Sequence, residues 1–406
     1  MNYARNQHCP QPRFKQCQAR SGKILVVTAV MLVALFGFSA LAIDATYLMQ
    51  VKKETQISAE SAALAGVTGY LHSDLLKPVP DATGAMSDAR DNAIEYGAKN
   101  LVTKSGPVLD RNNSNSPEGD IVLGRLPDWS YQNYPWEYDN PLRYNSVRAT
   151  VRRTEAQNGA VNLFFANIFG VSESPVQSVA TAIMERGAIG FDTSGGGGNT
   201  TLIPFAILEA DWVDLIDNGN GPDDMGFNDE TNTVYESGDG LPELTMFPQS
   251  FPAGGEETGV TPGNFGTVDI GSNNNATPDI IRQILHGVSA EDLAHHNDGA
   301  DLVLFDEESS FDLNGETGLS AGIKSALEQV IGQCRTMMLF STAVDPGNNA
   351  TFTIVRYVSA RIMKVQLTGN PKFVTIQPSF CMDGTAIIDP DGEVNNFIVR
   401  PPRLIE

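Results

Sequence analysis

Acidic side chains are dense in one stretch of the C-terminal half, and their chemistry is that of a calcium ligand set. The carboxylates are Asp217, Asp223, Asp224, Asp229 and Glu230. Calcium takes about six to eight oxygen ligands, and this density could supply several of them. The spacing lacks the EF-hand pattern with its glycine at the sixth position. Two interpretations stay open: a calcium-binding loop, and a polar loop built from Asx turns.

Two cysteines could form a disulfide bond. Of the four cysteines in the chain, Cys334 and Cys381 adjoin predicted strands in a region that we expect to be exported. An oxidising compartment favours a bridge between them. Free thiols are the alternative, because spacing along a sequence does not establish the geometry that a disulfide needs.

Catalytic motifs are incomplete. Asp192-Thr-Ser-Gly195 differs from the Asp-Thr-Gly of aspartic proteases by an inserted residue, and no second copy is present. His295 and His296 are adjacent, so they point in different directions and are poor joint metal ligands. The sequence contains no Ser-His-Asp arrangement, P-loop or dinucleotide fingerprint. It favours a non-catalytic protein without a cofactor. Calcium is the one ligand that the sequence leaves as a possibility to test.

The element that must position all of these residues is an apolar stretch near the N-terminus. Residues 24–43 are twenty residues without a charge or a proline. As a helix they would span ~30 Å, the thickness of a bilayer's hydrocarbon core. Residues 44–66 continue in good helix formers without a breaker. The pattern predicts one helix that crosses a membrane in its first half and is amphipathic in its second.

The distribution of charge predicts the orientation of this helix. Residues 1–23 contain five basic residues and no acidic residue, so the positive-inside rule places them in the cytoplasm. From residue 190 to the end, nine Lys and Arg face 32 Asp and Glu, and the whole chain has a net charge of −22. Such a field repels nucleic acid, so a nucleic-acid partner is disfavoured.

A cleaved signal peptide is the alternative to a retained anchor. Ala40-Leu41-Ala42 has the small residues of a cleavage site. The apolar run is longer than the ~7–15 residues usual for the core of a signal peptide, and the predicted helix continues through the site. Both features favour retention of this helix as a membrane anchor, in which case membrane lipid surrounds it.

The amphipathic half of the helix contains many small residues, which allow close approach of a second helix. They include Ser58, Ala59, Ala62, Ala63 and Gly66. One interpretation is a packing surface for a partner protein or a second copy of the chain, giving a homo-oligomer. The other is packing against the next helix of the same chain, predicted over 86–102 with Ser87 as its N-cap.

Strand patterns dominate the remainder and predict an α+β fold with several regions. Alternating apolar and polar residues indicate strands at 146–152 and 176–183. Further strands are predicted throughout the acidic C-terminal half, two of them at 351–358 and 362–367. In the same half, Thr277 is predicted as a helix cap, and Ser289 with Asp292 resembles a capping box. The glycines 195–198 indicate a flexible linker. The predicted regions are a basic cytoplasmic tail (1–23), a transmembrane helix (24–43), a helical neck (44–105), a first β-containing extracytoplasmic region (106–190), a Gly-rich linker (191–200) and an acidic β-rich extracytoplasmic domain (201–406).

The N-terminal pattern resembles the TadG-like proteins of the tight-adherence (Tad/Flp) pilus-assembly systems. The matching features are Arg20-Ser-Gly-Lys23, an apolar run closed by Asp44, the pair Lys52-Lys53, and the alanine-rich segment ending at Gly66. The order of strand 145–153, Phe-containing segment 159–170 and strand 179–182 is similar too. Related pilins are cut after a glycine and have a glutamate five residues later, but the fifth residue after Gly22 is Val27.

The resemblance implies a non-catalytic, membrane-anchored structural component of pilus assembly, rather than a processed pilin subunit. It implies a single pass through a bacterial inner membrane, with the C-terminal region periplasmic or extracellular. Other tight-adherence pilus-assembly proteins would be its partners, through the membrane and neck helix. The alternative function is a secreted or surface calcium-binding adhesin, released by cleavage after Ala42.

Overall fold

The computed structural model describes residues 23–127, 135–196, 198–247, 263–271, 276–305, 308–318, 320–344, 349–389 and 397–405. Helices and strands are mixed along these residues, with one long apolar helix at the start and a β-rich part after it, so the predicted α+β fold class is confirmed.

The longest element is α1, a continuous 46-residue helix from Lys23 to Thr68. The predicted single helix is therefore present. Its first half projects away from the rest of the protein, with Ile24 79% exposed and Phe38 73% exposed. Among the described residues, α1 is the one helix long and apolar enough to cross a membrane. This is consistent with single-pass membrane anchoring.

The second helix, α2, extends from Ala82 to Lys99. It begins four residues before the predicted start, because Asp81 rather than Ser87 is the N-cap. The Asp81 carboxylate accepts a hydrogen bond from the backbone N–H of Thr83 at 2.9 Å, which satisfies one of the free donors of the first turn. The helix also ends three residues before the predicted end.

The strands fall into two groups along the chain. Those before the glycine-rich segment are β1 (Ile121–Gly124), β2 (Ser146–Arg153), β3 (Val161–Asn162), β4 (Glu173–Ser174), β5 (Val176–Ile183) and β6 (Ala188–Phe191). Those after it are β7 (Leu202–Leu208), β8 (Gly226–Asn228), β9 (Thr233–Tyr235), β10 (Leu244–Met246), β11 (Phe265–Val268), β12 (Phe311–Glu316), β13 (Cys334–Val344), β14 (Ala350–Gln366), β15 (Phe373–Pro378), β16 (Cys381–Met382), β17 (Ala386–Ile388), β18 (Ile398–Val399) and β19 (Arg403–Ile405).

The first sheet is antiparallel and has the order β1-β2-β5-β19. The second half of α1 and the helix α2 pack on it and share one hydrophobic core with its strands. The predicted helical neck (44–105) and first β region (106–190) are therefore one structural unit. The last strand, β19, pairs with residues 181–183 of β5, so the predicted C-terminal domain (201–406) contributes a strand to the first unit.

The second sheet has the order β10-β15-β14-β12-β11-β7-β13, and β13 pairs in addition with β14. The pairings of β14, β12, β11, β7 and β13 thus form a closed circuit of five strands, which leaves none of these five as an open edge. The segments 351–358 and 362–367, predicted as two strands, are a single strand of 17 residues, β14.

Short helices cover this second sheet. They are α3 (Glu209–Val213), α4 (Thr277–His286), α5 (Ala290–Leu293) and α6 (Lys324–Gln329). Ile280, Ile284 and Leu327 enter the core. Thr277, predicted as a cap, is the first helical residue, and Ala276 precedes it without a side-chain cap. The capping box predicted at Ser289 and Asp292 is present.

Candidate functional site at the membrane end of the long helix

The carboxylate of Asp44 is the first polar group after the apolar half of α1, and it is 4% exposed. It accepts hydrogen bonds from the backbone N–H groups of Phe164 (2.9 Å), Phe165 (2.9 Å) and Ala166 (2.7 Å). Burial alone would raise the pKa of the Asp44 carboxyl, but these backbone donors outweigh it and hold the pKa below its usual value. The residue therefore joins the helix to a loop about 120 positions later.

That loop is the turn of a small hairpin, which we call the apolar tip and define as residues 163–171. The strands β3 and β4 pair on either side of it, and its centre is a 3₁₀ turn, Ala166–Phe169. Tyr47 of α1 contacts Phe164, with ring centroids 5.2 Å apart. The tip is thus fixed to the helix by both a polar and an aromatic contact.

Further contacts fix α1 to the sheet. The hydroxyls of Thr55 and Ser178 are 2.7 Å apart and hydrogen-bond inside the protein. The ammonium of Lys52 donates to the backbone carbonyl of Gln177. Because both contacts bridge α1 and β5, the sheet cannot rotate about the helix axis without breaking them.

The small residues of α1 pack against α2 of the same chain. Ala59, Ala62 and Ala63 are fully buried, and the Ser58 hydroxyl donates to the carbonyl of Gly97 at 2.8 Å. A Cβ added at Gly66 would lie 3.1 Å from a backbone oxygen of α2. Of the two interpretations of this face, the structure supports packing within the chain, and the face is not available to a partner.

Arg186 connects the end of α1 with the C-terminal part of the chain. Its guanidinium lies over the ring of Tyr70 (5.6 Å) and that of Phe380 (5.8 Å), and it donates to the carbonyl of Tyr144 at 2.9 Å. Burial lowers the pKa of Arg186 to about 10, against the opposing effect of Tyr70. The group stays charged near neutral pH, and its aromatic neighbours supply cation–π contacts.

The five predicted calcium ligands lie at the surface. Asp217, Asp223, Asp224, Asp229 and Glu230 are all exposed. Asp229 pairs instead with Arg361 at 3.6 Å. Within the described ranges, no group of three or more His, Cys, Asp or Glu residues is arranged to hold a metal ion.

The side chains of Asp223 and Glu243 accept hydrogen bonds within residues 217–243, which we call the acidic loop. The Asp223 carboxylate accepts the backbone N–H groups of Asp239 (2.9 Å) and Gly240 (3.0 Å), which joins two parts of the chain 16 and 17 positions apart. The buried Glu243 accepts the backbone N–H of Asp224 at 2.9 Å. Burial raises the pKa of Glu243 to about 7, although its backbone donors oppose this. The carboxylates thus satisfy backbone donors within the loop.

Cys334 and Cys381 form a disulfide bond, with their Cα atoms 5.6 Å apart. Beside it, the buried Asp383 accepts hydrogen bonds from the backbone N–H and the hydroxyl of Thr201 and from those of Thr385. These contacts attach the chain directly after the glycine-rich segment to the C-terminal strands.

The incomplete catalytic motifs have structural roles. The Asp192 carboxylate accepts the backbone N–H of Ser194 at 2.7 Å, in an Asx turn. The Nε2 atom of His296 accepts the backbone N–H of Gly271 at 3.2 Å. Neither motif is assembled with a second catalytic group among the hydrogen bonds and ion pairs of the described residues.

Sequence reasoning missed the contact between Asp44 and the apolar tip. Two signals could have revealed it. Asp44 directly follows twenty uncharged residues, where an ionised side chain needs a partner or water. The segment 156–172 is also free of charge and contains three phenylalanines in a strongly acidic chain. Neither signal specifies the other as its partner, because 120 residues separate them.

In comparisons with known proteins, two family models match the part of the chain that contains α1, α2 and most of the first sheet. The Tad family model, described as Flp pilus-assembly TadE/G-like, matches residues 22–69. The Tad_C family model, described as Tad-like Flp pilus-assembly, matches residues 77–183. The first match covers all of α1 and the second covers α2 and the strands β1 to β5. Neither a comparison with curated proteins nor one with solved structures gave a match.

Both matches lie in the unit formed by α1, α2 and the first sheet, where the contacts of Asp44 and the small residues occur. The two family models and the long apolar helix agree with the resemblance drawn from the N-terminal pattern. The matches over residues 22–69 and 77–183 support a TadG-like protein of the tight-adherence (Tad/Flp) pilus-assembly systems.

Proposed function

We propose that this chain is a membrane-anchored, non-catalytic structural component of Flp pilus assembly. The observation that carries the proposal is the continuity of α1. One helix holds an exposed apolar half of membrane-spanning length and a second half buried in the exported fold. In this role the basic residues before Ile24 remain in the cytoplasm, and the remainder of the chain lies outside a bacterial inner membrane.

The proposed mechanism is mechanical coupling. Asp44, Lys52 and Thr55 each connect α1 to the sheet unit by a hydrogen bond. A force on the exported part is therefore transmitted to the membrane helix without a hinge between them. A rigid post of this kind suits a component that holds pilus-assembly partners at a fixed distance from the membrane.

Partners would contact the side of α1 that faces away from α2 and the sheet. The small residues predicted for this purpose are buried within the chain. Met49 is 72% exposed and Ile57 is 44% exposed, and with Lys53 they form an exposed stripe on the second half of the helix. We propose this stripe, together with the membrane half, as the surface for other pilus-assembly proteins or for a second copy of the chain.

The anchor and its orientation can be tested with the native cysteines. A membrane-impermeant maleimide should label Cys9 and Cys17 only after the inner membrane of spheroplasts is opened, and the labelled chain should stay in carbonate-washed membranes. A Phe305→Cys variant is the control, because Phe305 is 72% exposed in the exported part and should be labelled without lysis. Labelling of the tail in closed spheroplasts would contradict the orientation.

The same preparation tests the alternative of a secreted calcium-binding adhesin. Mass analysis of the N-terminal peptide should show an intact tail in the washed membranes. A soluble chain that begins at Ile43 would instead support cleavage after Ala42, and a melting temperature raised by calcium would then support the adhesin.

The assembly role is tested by photo-crosslinking in cells that make the pilus. A crosslinker in place of Met49 should capture other pilus-assembly proteins or a second copy of the chain. The matched control is Val108, which is 69% exposed and belongs to the segment between α2 and β1 rather than to α1. Equal capture from both positions would argue against a specific surface on the helix.

A further inference from the structure

The apolar tip exposes a cluster of large hydrophobic side chains. Phe164 is 65% exposed, Ile168 80%, Phe169 68% and Val171 50%. No charged residue occurs between Glu155 and Glu173. A cluster of exposed aromatic and aliphatic side chains without charge is typical of an interaction surface rather than of ordinary solvent-facing loops.

The position of the tip indicates what covers it. Asp44 follows directly on the apolar residues 24–43, and its carboxylate holds the backbone of residues 164–166. The tip therefore lies at the level where the helix passes from the apolar half to the polar half. Within the proposed function, this level is the outer face of the membrane, and the tip is continuous with the membrane-embedded surface of α1.

The charge of Asp44 is compatible with a position of the apolar tip at the membrane face. A carboxylate at a membrane face is costly when it lacks partners. Here three backbone N–H groups compensate the carboxylate, and the side chain is almost completely covered. Tyr47, which packs on Phe164, is of a residue type enriched at the interface between membrane and water.

We propose that the apolar tip inserts into the outer-leaflet interface of the lipid bilayer, as a second membrane contact beside the transmembrane helix. Phe164, Ile168, Phe169 and Val171 would lie among the headgroups and the first acyl carbons. Two contacts fix the tilt and the rotation of α1 about its axis, which a single helix leaves free. The exported domain would thereby have one defined orientation on the membrane.

The experiment measures lipid contact at a labelled tip in the full chain. Cys9→Ser and Cys17→Ser remove the free thiols, and Phe169→Cys introduces one site for a polarity-sensitive fluorophore. The protein is reconstituted in phosphatidylcholine vesicles. Fluorescence is quenched either by lipids with a nitroxide near the headgroup or by iodide in the water. The shallow nitroxide should quench the tip label strongly. Iodide should quench the tip label several-fold less than it quenches a label exposed to water.

Two matched phenylalanine positions separate this proposal from the function on which it rests. Phe38→Cys lies in the apolar half of α1 and is 73% exposed, and Phe305→Cys lies in the exported part and is 72% exposed. The label at position 38 should respond to lipid nitroxide alone, and the label at 305 to iodide alone. If position 38 is open to iodide, the anchor itself is wrong.

If position 38 contacts lipid but position 169 behaves like position 305, the anchor holds and the tip proposal is overturned. Protection of position 169 that occurs only in native membranes would overturn it too, and would assign the tip to a protein partner.

Discussion

The carboxylate of Asp44 accepts a hydrogen bond of 2.9 Å from the backbone N–H of Phe165, which follows it by 121 positions. This contact closes the unit formed by α1 and the first sheet at the end that adjoins the apolar half of α1. It also gives Asp44, the first residue after the apolar run, hydrogen-bond partners within the protein.

Replacement of Asp44 by alanine should release the apolar tip from the helix. The backbone N–H groups of residues 164–166 then lose their acceptor, because no other side chain of α1 reaches them in the observed hydrogen bonds. Hydrogen exchange of the detergent-solubilised chain should show faster exchange at these amides, with little change in β5. Asp44→Asn keeps one acceptor oxygen and should show a smaller effect.

The control for this variant is Thr46→Ala, because the Thr46 hydroxyl donates to the carbonyl of Ala42 within the same helix. Unchanged exchange at residues 164–166 in Asp44→Ala would show that the hairpin holds its turn without the carboxylate.

Substitution of Gly69 by alanine should weaken the packing of α1 on α2. An added Cβ would lie 2.2 Å from the backbone nitrogen of Ala89, so one helix must move. Overpacking of this kind costs typically about 1–3 kcal/mol, and the melting temperature of the solubilised protein should fall accordingly.

Gly37→Ala in the apolar half is the matched control, because an added Cβ there meets nothing within 4 Å. It should leave the melting temperature unchanged or slightly higher, since alanine favours a helix more than glycine does. Equal effects of the two variants would contradict the close contact at Gly69.

Loss of the disulfide should destabilise the part of the chain that contains the second sheet. The bond joins Cys334 and Cys381, which are 47 positions apart. In the chain-entropy model, a loop of this length corresponds to about 4 kcal/mol. Denaturant unfolding of the double variant Cys334→Ser, Cys381→Ser should therefore show a lower free energy of unfolding.

A reducing agent should have the same effect on the natural protein and none on this double variant. The pair Cys9→Ser, Cys17→Ser serves as the control and should unfold like the natural protein. Resistance of the natural protein to the reductant under unfolding conditions would argue against a stabilising bridge.

The buried carboxyl of Glu243 should make stability fall as the pH rises. Its pKa is about 7 in the folded protein and near 4.5 in a solvated chain. Between these values the folded state binds the proton more tightly, so the unfolding free energy decreases with pH and levels off above about pH 7. Since each pH unit corresponds to about 1.4 kcal/mol, the decrease could reach about 3 kcal/mol.

Denaturant unfolding from pH 4.5 to pH 8 should detect this decrease, and Glu243→Gln should remove most of it. Glu236→Gln is the control, because the Glu236 side chain is 82% exposed. A pH dependence that persists unchanged in Glu243→Gln would assign it to other buried acids.

The elements themselves followed from local patterns. The absence of charge and proline from residues 24–43, together with the helix formers over 44–66, was sufficient to predict α1, because helix continuity depends on neighbouring residues. The alternation of apolar and polar residues predicted β5 with both of its bounds. A break was wrongly predicted inside β14, because its burial pattern changes where its pairing partners change from β12 and β13 to β15.

The site depended on information that a local pattern does not contain. The density of carboxylates in the acidic stretch predicted a calcium site, and this stays a prediction. In the fold, Asp223 and Glu243 accept hydrogen bonds from backbone N–H groups. The density of carboxylates is a property of composition, whereas coordination depends on where the loop places each oxygen atom.

The sequence alone determined the long helix, most of the strands and the resemblance to TadG-like proteins, because each depends on residues close together along the chain. Only the tertiary structure decided that β19 completes the first sheet, that α2 covers the small residues of α1, and that Asp44 holds the apolar tip. These contacts join residues far apart in the chain. Their choice depends on the shape and packing of the whole fold, which no local periodicity encodes.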